Sequence, residues 1–126
     1  MSEVGQVIMT GIGGVTLTKD EEEFISKENI GGVLLFSRNY ESPVQLTELI
    51  NNIQKLRNEY PLFIAVDHEG GRVLRFRKDF TQFPAMMEFS RATSPKLCFH
   101  ANKIMSEELA ACGINVNLAP CCDVLT

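Results

Sequence analysis

The chain contains no tryptophan and only two tyrosines, and its 12 lysines and arginines are outnumbered by 16 acidic residues. A net charge of -4 with no basic stripe gives a polyphosphate nothing to hold, so nucleic acid is not an expected partner. Long hydrophobic runs are missing too. No stretch approaches the roughly 20 apolar residues that span a bilayer, and the opening MSEVGQVIMTGIGG lacks the basic start of a secretion signal. A cytoplasmic chain without a membrane partner is therefore expected. The four cysteines, Cys98, Cys112, Cys121 and Cys122, form neither a CxxC pair nor a spaced disulfide framework and read as free thiols. There is no G-x-S-x-G elbow, and Ser37 and Ser90 have no histidine and acid at recognisable spacing. Gly11, Gly13 and Gly14 begin a G-x-G-x-x-G pattern. Its third glycine would fall at Thr16, and the next strand ends in Ser37-Arg38 rather than an acid, which leaves a Rossmann-type oxidoreductase fragment as the rival from another class.

What is present is an alternation of strand and helix signals. With 126 residues, 44% of them hydrophobic and 22% charged, the composition suits one soluble globular unit with a modest core. Val4 to Thr10 reads as a first strand, followed by the glycine turn. Thr18 with Glu21 three positions on is a capping-box pattern, Asp20 to Glu23 put negative charge in the first helical turn, and Phe24 and Ile25 are the expected inward contacts. Gly31 and Gly32 stop this helix, and Val33 to Phe36 is a second apolar strand ending in Ser37, Arg38 and Asn39. Ser42, Pro43 and Gln45 supply an N-cap, a proline at the first helical position and a capping-box partner. Leu46, Leu49, Ile50, Ile53 and Leu56 then fall three and four apart, so one stripe faces the sheet.

Leu62 to Val66 is the third strand, an unbroken apolar run of the kind covered on both faces. Phe80 to Arg91 reads as loop, with Met86 and Met87 as core padding. Ser94 and Pro95 open a second capped helix, Leu97, Ala101, Ile104, Met105, Leu109 and Cys112 make its stripe, and Gly113 stands where a left-handed C-cap is expected. Ile114 to Leu118 is the fourth strand. Three helical crossovers with no hairpin signal predict an α/β fold of parallel strands with outer helices, in an open sheet or a barrel. The sequence stops soon after a strand, so a chain cut short there is expected.

Chemistry concentrates where the third strand ends. Asp67, His68 and Glu69 follow Val66 directly, Gly70 and Gly71 free the backbone, and Arg72, Arg75 and Arg77 bring positive charge. Ligands of α/β proteins sit at the carboxyl ends of strands, so this is the default site. Asp67 and Glu69, one residue apart, are expected to point different ways, Asp67 into the pocket and Glu69 onto an arginine. Consecutive strand residues alternate faces, so Asp67, His68 and Glu69 do not converge on a metal. His68 reads as a hydrogen-bonded structural histidine and His100 as a surface one.

The segments GGVLLFSRNYESPVQLTELI and FIAVDHEGGRVLRFRKDFTQFP, and later INVNLAPCCDV, resemble the N-terminal part of family 3 glycoside hydrolases, nearest the bacterial cytoplasmic β-N-acetylglucosaminidases of peptidoglycan recycling. FSRNY and D-x-E-G-G-R-V-x-R-F are the most specific pieces. The resemblance implies that residues 1–126 are the first half, about four β/α units, of a TIM-type (β/α)8 barrel, which needs about 250 residues. It implies that Asp67 and Arg75 bind an N-acetylglucosamine-containing saccharide, that no metal or organic cofactor takes part, and that the nucleophile and acid/base lie beyond Thr126. It leaves Arg72 as an internal salt bridge that shapes the loop. Alternatives are a non-catalytic binding or assembly module, through self-association or pairing with a missing C-terminal half, and a decayed remnant of the enzyme.

Overall fold

The computed structural model describes residues 3–57, 60–92 and 94–123. Four parallel strands form one sheet in the order of the chain: β1 (Met9–Gly11), β2 (Gly32–Leu35), β3 (Phe63–Val66) and β4 (Val116–Asn117). Helix α1 (Lys19–Lys27) links β1 to β2, α2 (Pro43–Gln54) links β2 to β3, and α3 (Met86–Arg91) and α4 (Pro95–Ala111) lie between β3 and β4. Register runs Met9 to Gly32 to Phe63 across the first three strands, and Ala65 pairs with Val116 on the fourth.

The helix starts are chemically specified. Thr18 Oγ1 accepts from Glu21 N while Glu21 Oε2 accepts from Thr18 N at 2.8 Å, completing the expected capping box. Ser42 and Ser94 each accept from the backbone N–H three residues on, with Pro43 and Pro95 at the first helical position. Gln45 departs from its expected role. Its Oε1 accepts from Glu41 N, not from Ser42, and its Nε2 donates to Val15 O and Asn39 O, bracing the loops above the sheet.

Strand alternation then divides the side chains. Val33, Leu35, Ile64 and Val66 point to the helices and pack with Ile25, Leu46, Leu49, Ile50, Ile53, Met105 and Leu109, all fully buried or nearly so. Each aliphatic side chain so buried is worth about 1.5–3 kcal/mol, so the four from α2 dock that helix firmly despite its 12 residues. The opposite face is covered only in part, Ala65 being fully buried on it. Phe63 is 59% exposed there, beside Met9, so β3 is not covered on both sides as its composition suggests.

Other expectations are corrected as well. Glu3–Val7 is a 3-10 turn, not strand: Gly5 O accepts from Ile8 N and Gly31 N, and a Cβ on Gly5 would lie 1.7 Å from Glu28 O. The apolar run from Val7 to Met9 has no pleated pattern of burial and Val7 is 87% exposed, which is why composition misleads there. Met86–Arg91 is helix, although it has no side-chain cap to announce it. Met86 does pack on the core, but Met87, Phe24, Leu97 and Ile104 face solvent. Gly113 has φ +96°, the left-handed turn expected after α4.

Candidate functional site

The site begins where β3 gives way to Asp67. Arg75 Nη2 donates to Asp67 Oδ2 at 2.6 Å, with each side chain about a quarter exposed (28% and 27%). A tight loop returns the chain over those eight residues. Glu69 N and Gly70 N both donate to Val73 O, and Gly71 N donates to Phe83 O at 2.8 Å. Gly70 (φ +98°) and Gly71 (φ +61°) adopt left-handed conformations, and a Cβ at Gly70 would sit 2.3 Å from Pro84 O. Only glycine fits under that strap.

His68 is the floor. It is 1% exposed, packed against the rings of Phe76 and Phe80 at 5.7 and 6.1 Å, and its Nδ1 accepts from Arg75 N at 3.3 Å. Burial pushes its pKa below the ordinary value of 6.5, the neighbouring Arg77 and Arg75 lower it further, and Glu108 and Asp67 act the other way. A neutral ring is what an accepting Nδ1 requires. The expected structural role for His68 is thus what the fold shows, and the ring holds the backbone of the residue that meets Asp67.

The FSRNY segment is the wall that ties the neighbouring loops together. Asn39, fully buried, accepts at Oδ1 from Phe36 N (2.8 Å) and donates through Nδ2 to Ile12 O (3.2 Å) and Gly14 O (2.7 Å). Arg38 Nε also donates to Ile12 O, and its guanidinium lies over the Phe36 ring at 4.6 Å, while that of Arg75 lies 5.6 Å from the same ring. Tyr40 packs tilted against Phe76 and edge-to-face against Phe80, and its hydroxyl donates to Lys78 O. In the sequence this motif stands out without a role; the polar run Ser37-Arg38-Asn39 directly after an apolar strand was the available signal.

The two carboxylates are arranged otherwise than expected. Glu69 makes no ion pair with an arginine among the described residues; its side chain hydrogen-bonds to Asp67. That contact first, then partial desolvation and the Asp67 charge, lift its carboxyl above the ordinary value of 4.5. Glu69 also lines a cleft of about 560 Å³ with Ala85, Met86, Met87, Ser90, Cys121 and Asp123, whereas Asp67 and Arg75 stand outside that lining. Arg72 is exposed and has no ion pair among the described residues, so the loop is shaped by backbone bonds and by Arg77 Nη2 donating to the Gly71 and Arg72 carbonyls instead. Among the described residues no three His, Cys, Asp or Glu side chains group as metal ligands.

Residues 1–126 match the model of the glycosyl hydrolase family 3 N-terminal domain. The chain is 44% identical over 123 residues to a β-hexosaminidase of Nitrosomonas eutropha and 42% identical over 124 residues to one of Bordetella pertussis, covering 93% of this chain and 35% of each relative. A family 3 β-N-acetylglucosaminidase from Paenibacillus sp. superposes with a TM-score of 0.89 at 36% identity, covering 93% of this chain and 23% of that one. NagZ from Neisseria gonorrhoeae, solved in complex with N-trifluoroacetyl-D-glucosamine, gives 0.80 at 37% identity, covering 90% of this chain and 36% of its own.

Proposed function

The chain belongs to glycosyl hydrolase family 3, its parallel strands and helices being the first half of a (β/α)8 barrel, and we propose that it supplies the sugar-gripping part of a β-N-acetylhexosaminidase. In this reading the enzyme is cytoplasmic and releases terminal β-linked N-acetylglucosamine from cell-wall fragments. The names of the curated relatives and the amino-sugar ligand of the gonococcal structure support that substrate class. The chain spans about a third of the length of those relatives (35%).

One observation carries the assignment of the site: the Asp67–Arg75 pair at the mouth of β3, held by the His68 floor and the glycine loop. An ionised carboxylate accepts sugar hydroxyl protons and the adjoining guanidinium donates to sugar oxygens. Charge-assisted bonds of this kind are worth about 1.5–3 kcal/mol each. Pairing beforehand fixes both groups before the sugar arrives. Retaining hydrolysis also needs a nucleophile and an acid/base, which this reading places outside residues 1–126. The 126-residue chain by itself is expected to show no turnover of a chromogenic N-acetyl-β-glucosaminide. Grafted in place of the aligned segment of the Nitrosomonas relative, it is expected to give an active enzyme that Asp67→Ala and Arg75→Ala each cripple by about 10- to 100-fold in kcat/KM. A folded graft that is inactive, or active and indifferent to Asp67→Ala, refutes the assignment.

A second reading, a binding or assembly module, is favoured by the open sheet face bearing Met9, Phe63 and Leu118 and by the edges of β1 and β4, unpaired among the described residues. Sizing chromatography separates the two: a monomer at all concentrations rules out self-assembly.

A further inference from the structure

Arg38 is anchored along one edge of its guanidinium and idle along the other. Its Nε donates to Ile12 O at 3.0 Å, and its guanidinium carbon lies 4.6 Å from the centroid of the Phe36 ring. Its Nη2 stands 3.2 Å from where a Cβ on Gly11 would be. Gly11 pairs with Leu34 and Leu34 with Ala65, so a side chain there would project from the sheet face turned away from the helices. Arg38 and Phe36 therefore occupy that face at the carboxyl end of β2, and the Arg75 guanidinium reaches the same ring at 5.6 Å. Two cations share one aromatic platform, and only one of them has a counter-ion. Asp67 accepts from Arg75, whereas neither Nη1 nor Nη2 of Arg38 meets an acceptor and no carboxylate lies within ion-pair distance of it among the described residues. Glu21, the acid of the loop that Arg38 touches, is committed to Gly13 N and Thr18 N, and Glu69 lines a cleft to which Arg38 does not contribute. Tying down Ile12 O does not require the arginine either, because Asn39 Nδ2 already donates to that carbonyl.

We infer that Arg38 is a specificity-determining residue of the saccharide subsite: its free Nη1/Nη2 fork receives a carboxylate carried by the group attached to the sugar that Asp67 and Arg75 grip. This rests on the sugar-binding reading of Asp67 and Arg75 and adds to it the charge of the substrate. The Asp67–Arg75 pair is neutral as a unit, so it sorts hydroxyls and is indifferent to net charge. Arg38 places one uncompensated cation beside that pair, in a chain whose net charge is -4. A planar fork held by its Nε and by a ring face has lost most of its rotational freedom in advance, and it matches a carboxylate with two parallel N–H···O bonds. An ammonium at the same place would offer a charge without that match. A neutral substituent leaves the fork to water, and an acidic one replaces that water with a counter-ion.

The test compares two ligands of equal size on the whole 126-residue chain: the carboxymethyl and the carbamoylmethyl β-glycosides of N-acetylglucosamine, one anionic and one neutral. Binding is followed through the Asp67 carboxyl carbon and the Arg38 and Arg75 Nε–H signals of 13C- and 15N-labelled protein at neutral pH. The carboxymethyl glycoside is expected to bind about 3- to 10-fold more tightly, with the preference shrinking between about 20 mM and about 300 mM salt. In Arg38→Gln the ratio of the two affinities is expected to fall to about 1, and in Arg38→Lys, which keeps the charge and loses the fork, to an intermediate value. A structural role alone would weaken both ligands together and leave the ratio where it was. Equal binding of the two glycosides by the wild type, which needs no variant to fold, overturns the proposal and leaves the sugar-binding reading standing. A preference that survives Arg38→Gln overturns it as well. If neither glycoside moves the Asp67 or Arg75 signals, it is the sugar-binding reading that falls, and the proposal falls with it.

Discussion

Replacing Asn39 by alanine removes three hydrogen bonds from a side chain with no exposure to solvent. Ile12 O keeps a donor, because Arg38 Nε reaches it at 3.0 Å. Phe36 N and Gly14 O lose their side-chain partner outright. A buried polar group left unpaired costs about 1–3 kcal/mol, and Gly14 is half-buried, so solvent recovers part of its share. The expected loss is about 2–4 kcal/mol, against about 5–15 kcal/mol for a domain of this size. Equilibrium urea unfolding followed by circular dichroism measures it. With a slope of about 2 kcal/mol per molar, the midpoint falls by about 1–2 M with the slope unchanged. Asn39→Asp discriminates further, since it keeps the acceptor for Phe36 N but sets a carboxylate oxygen against the Ile12 and Gly14 carbonyls. It is expected to be at least as damaging at neutral pH and to recover partly on acidification. A loss below about 0.5 kcal/mol for Asn39→Ala would show that the FSRNY segment does not bind the loops together.

Gly113→Ala combines φ +96° with a Cβ 2.9 Å from Ile50 Cγ2, and is expected to cost about 1–3 kcal/mol in the same unfolding experiment. Ser42→Ala removes the cap of α2 and is expected to cost about 1 kcal/mol. Two titrations are expected to tilt the thermal melt against pH in opposite directions. The folded-state pKa of His68 lies below 6.5, so its contribution is complete above about that pH and is lost as pH falls, when the unfolded chain takes up the proton. That of Glu69 lies above 4.5, so its contribution is complete below about that pH and is lost as pH rises through the raised value; Glu69→Gln is expected to remove this second slope and leave that of His68.

Local signals with a mechanism were the ones legible in the sequence. Serine followed by proline marked the start of α2 and α4, Thr18 with Glu21 the start of α1, and Gly113 the end of α4, because each satisfies backbone groups within a few residues. Asp67 stood out as the first charged residue after an apolar strand, whereas Arg75 was singled out only through the family resemblance; the structure pairs the two across a loop that two left-handed glycines turn. Distant compensation was not legible. Nothing near Val7 states that Gly5 packs under the end of α1, and nothing near Phe63 states that its face of the sheet stays open. Glu69 was assigned an arginine because opposite charges lay nearby in sequence. In the structure Glu69 has no arginine ion pair among the described residues, and its backbone N–H donates to the Val73 carbonyl at 2.7 Å.

The shortest strand has a consequence of its own. Around β4, the Asn115 amide accepts from Ile64 N and donates to Leu62 O, and the Asn117 amide accepts from His68 N and donates to His68 O, so two side chains imitate the peptide groups of a longer ladder. Apolar strands tolerate sliding whenever the displaced side chains find equivalent grease, but an amide key fits only the lock cut for it. Inserting or deleting a single residue within INVNL would strand both keys at once, so length variation in this protein belongs in the connections and not in that pentapeptide.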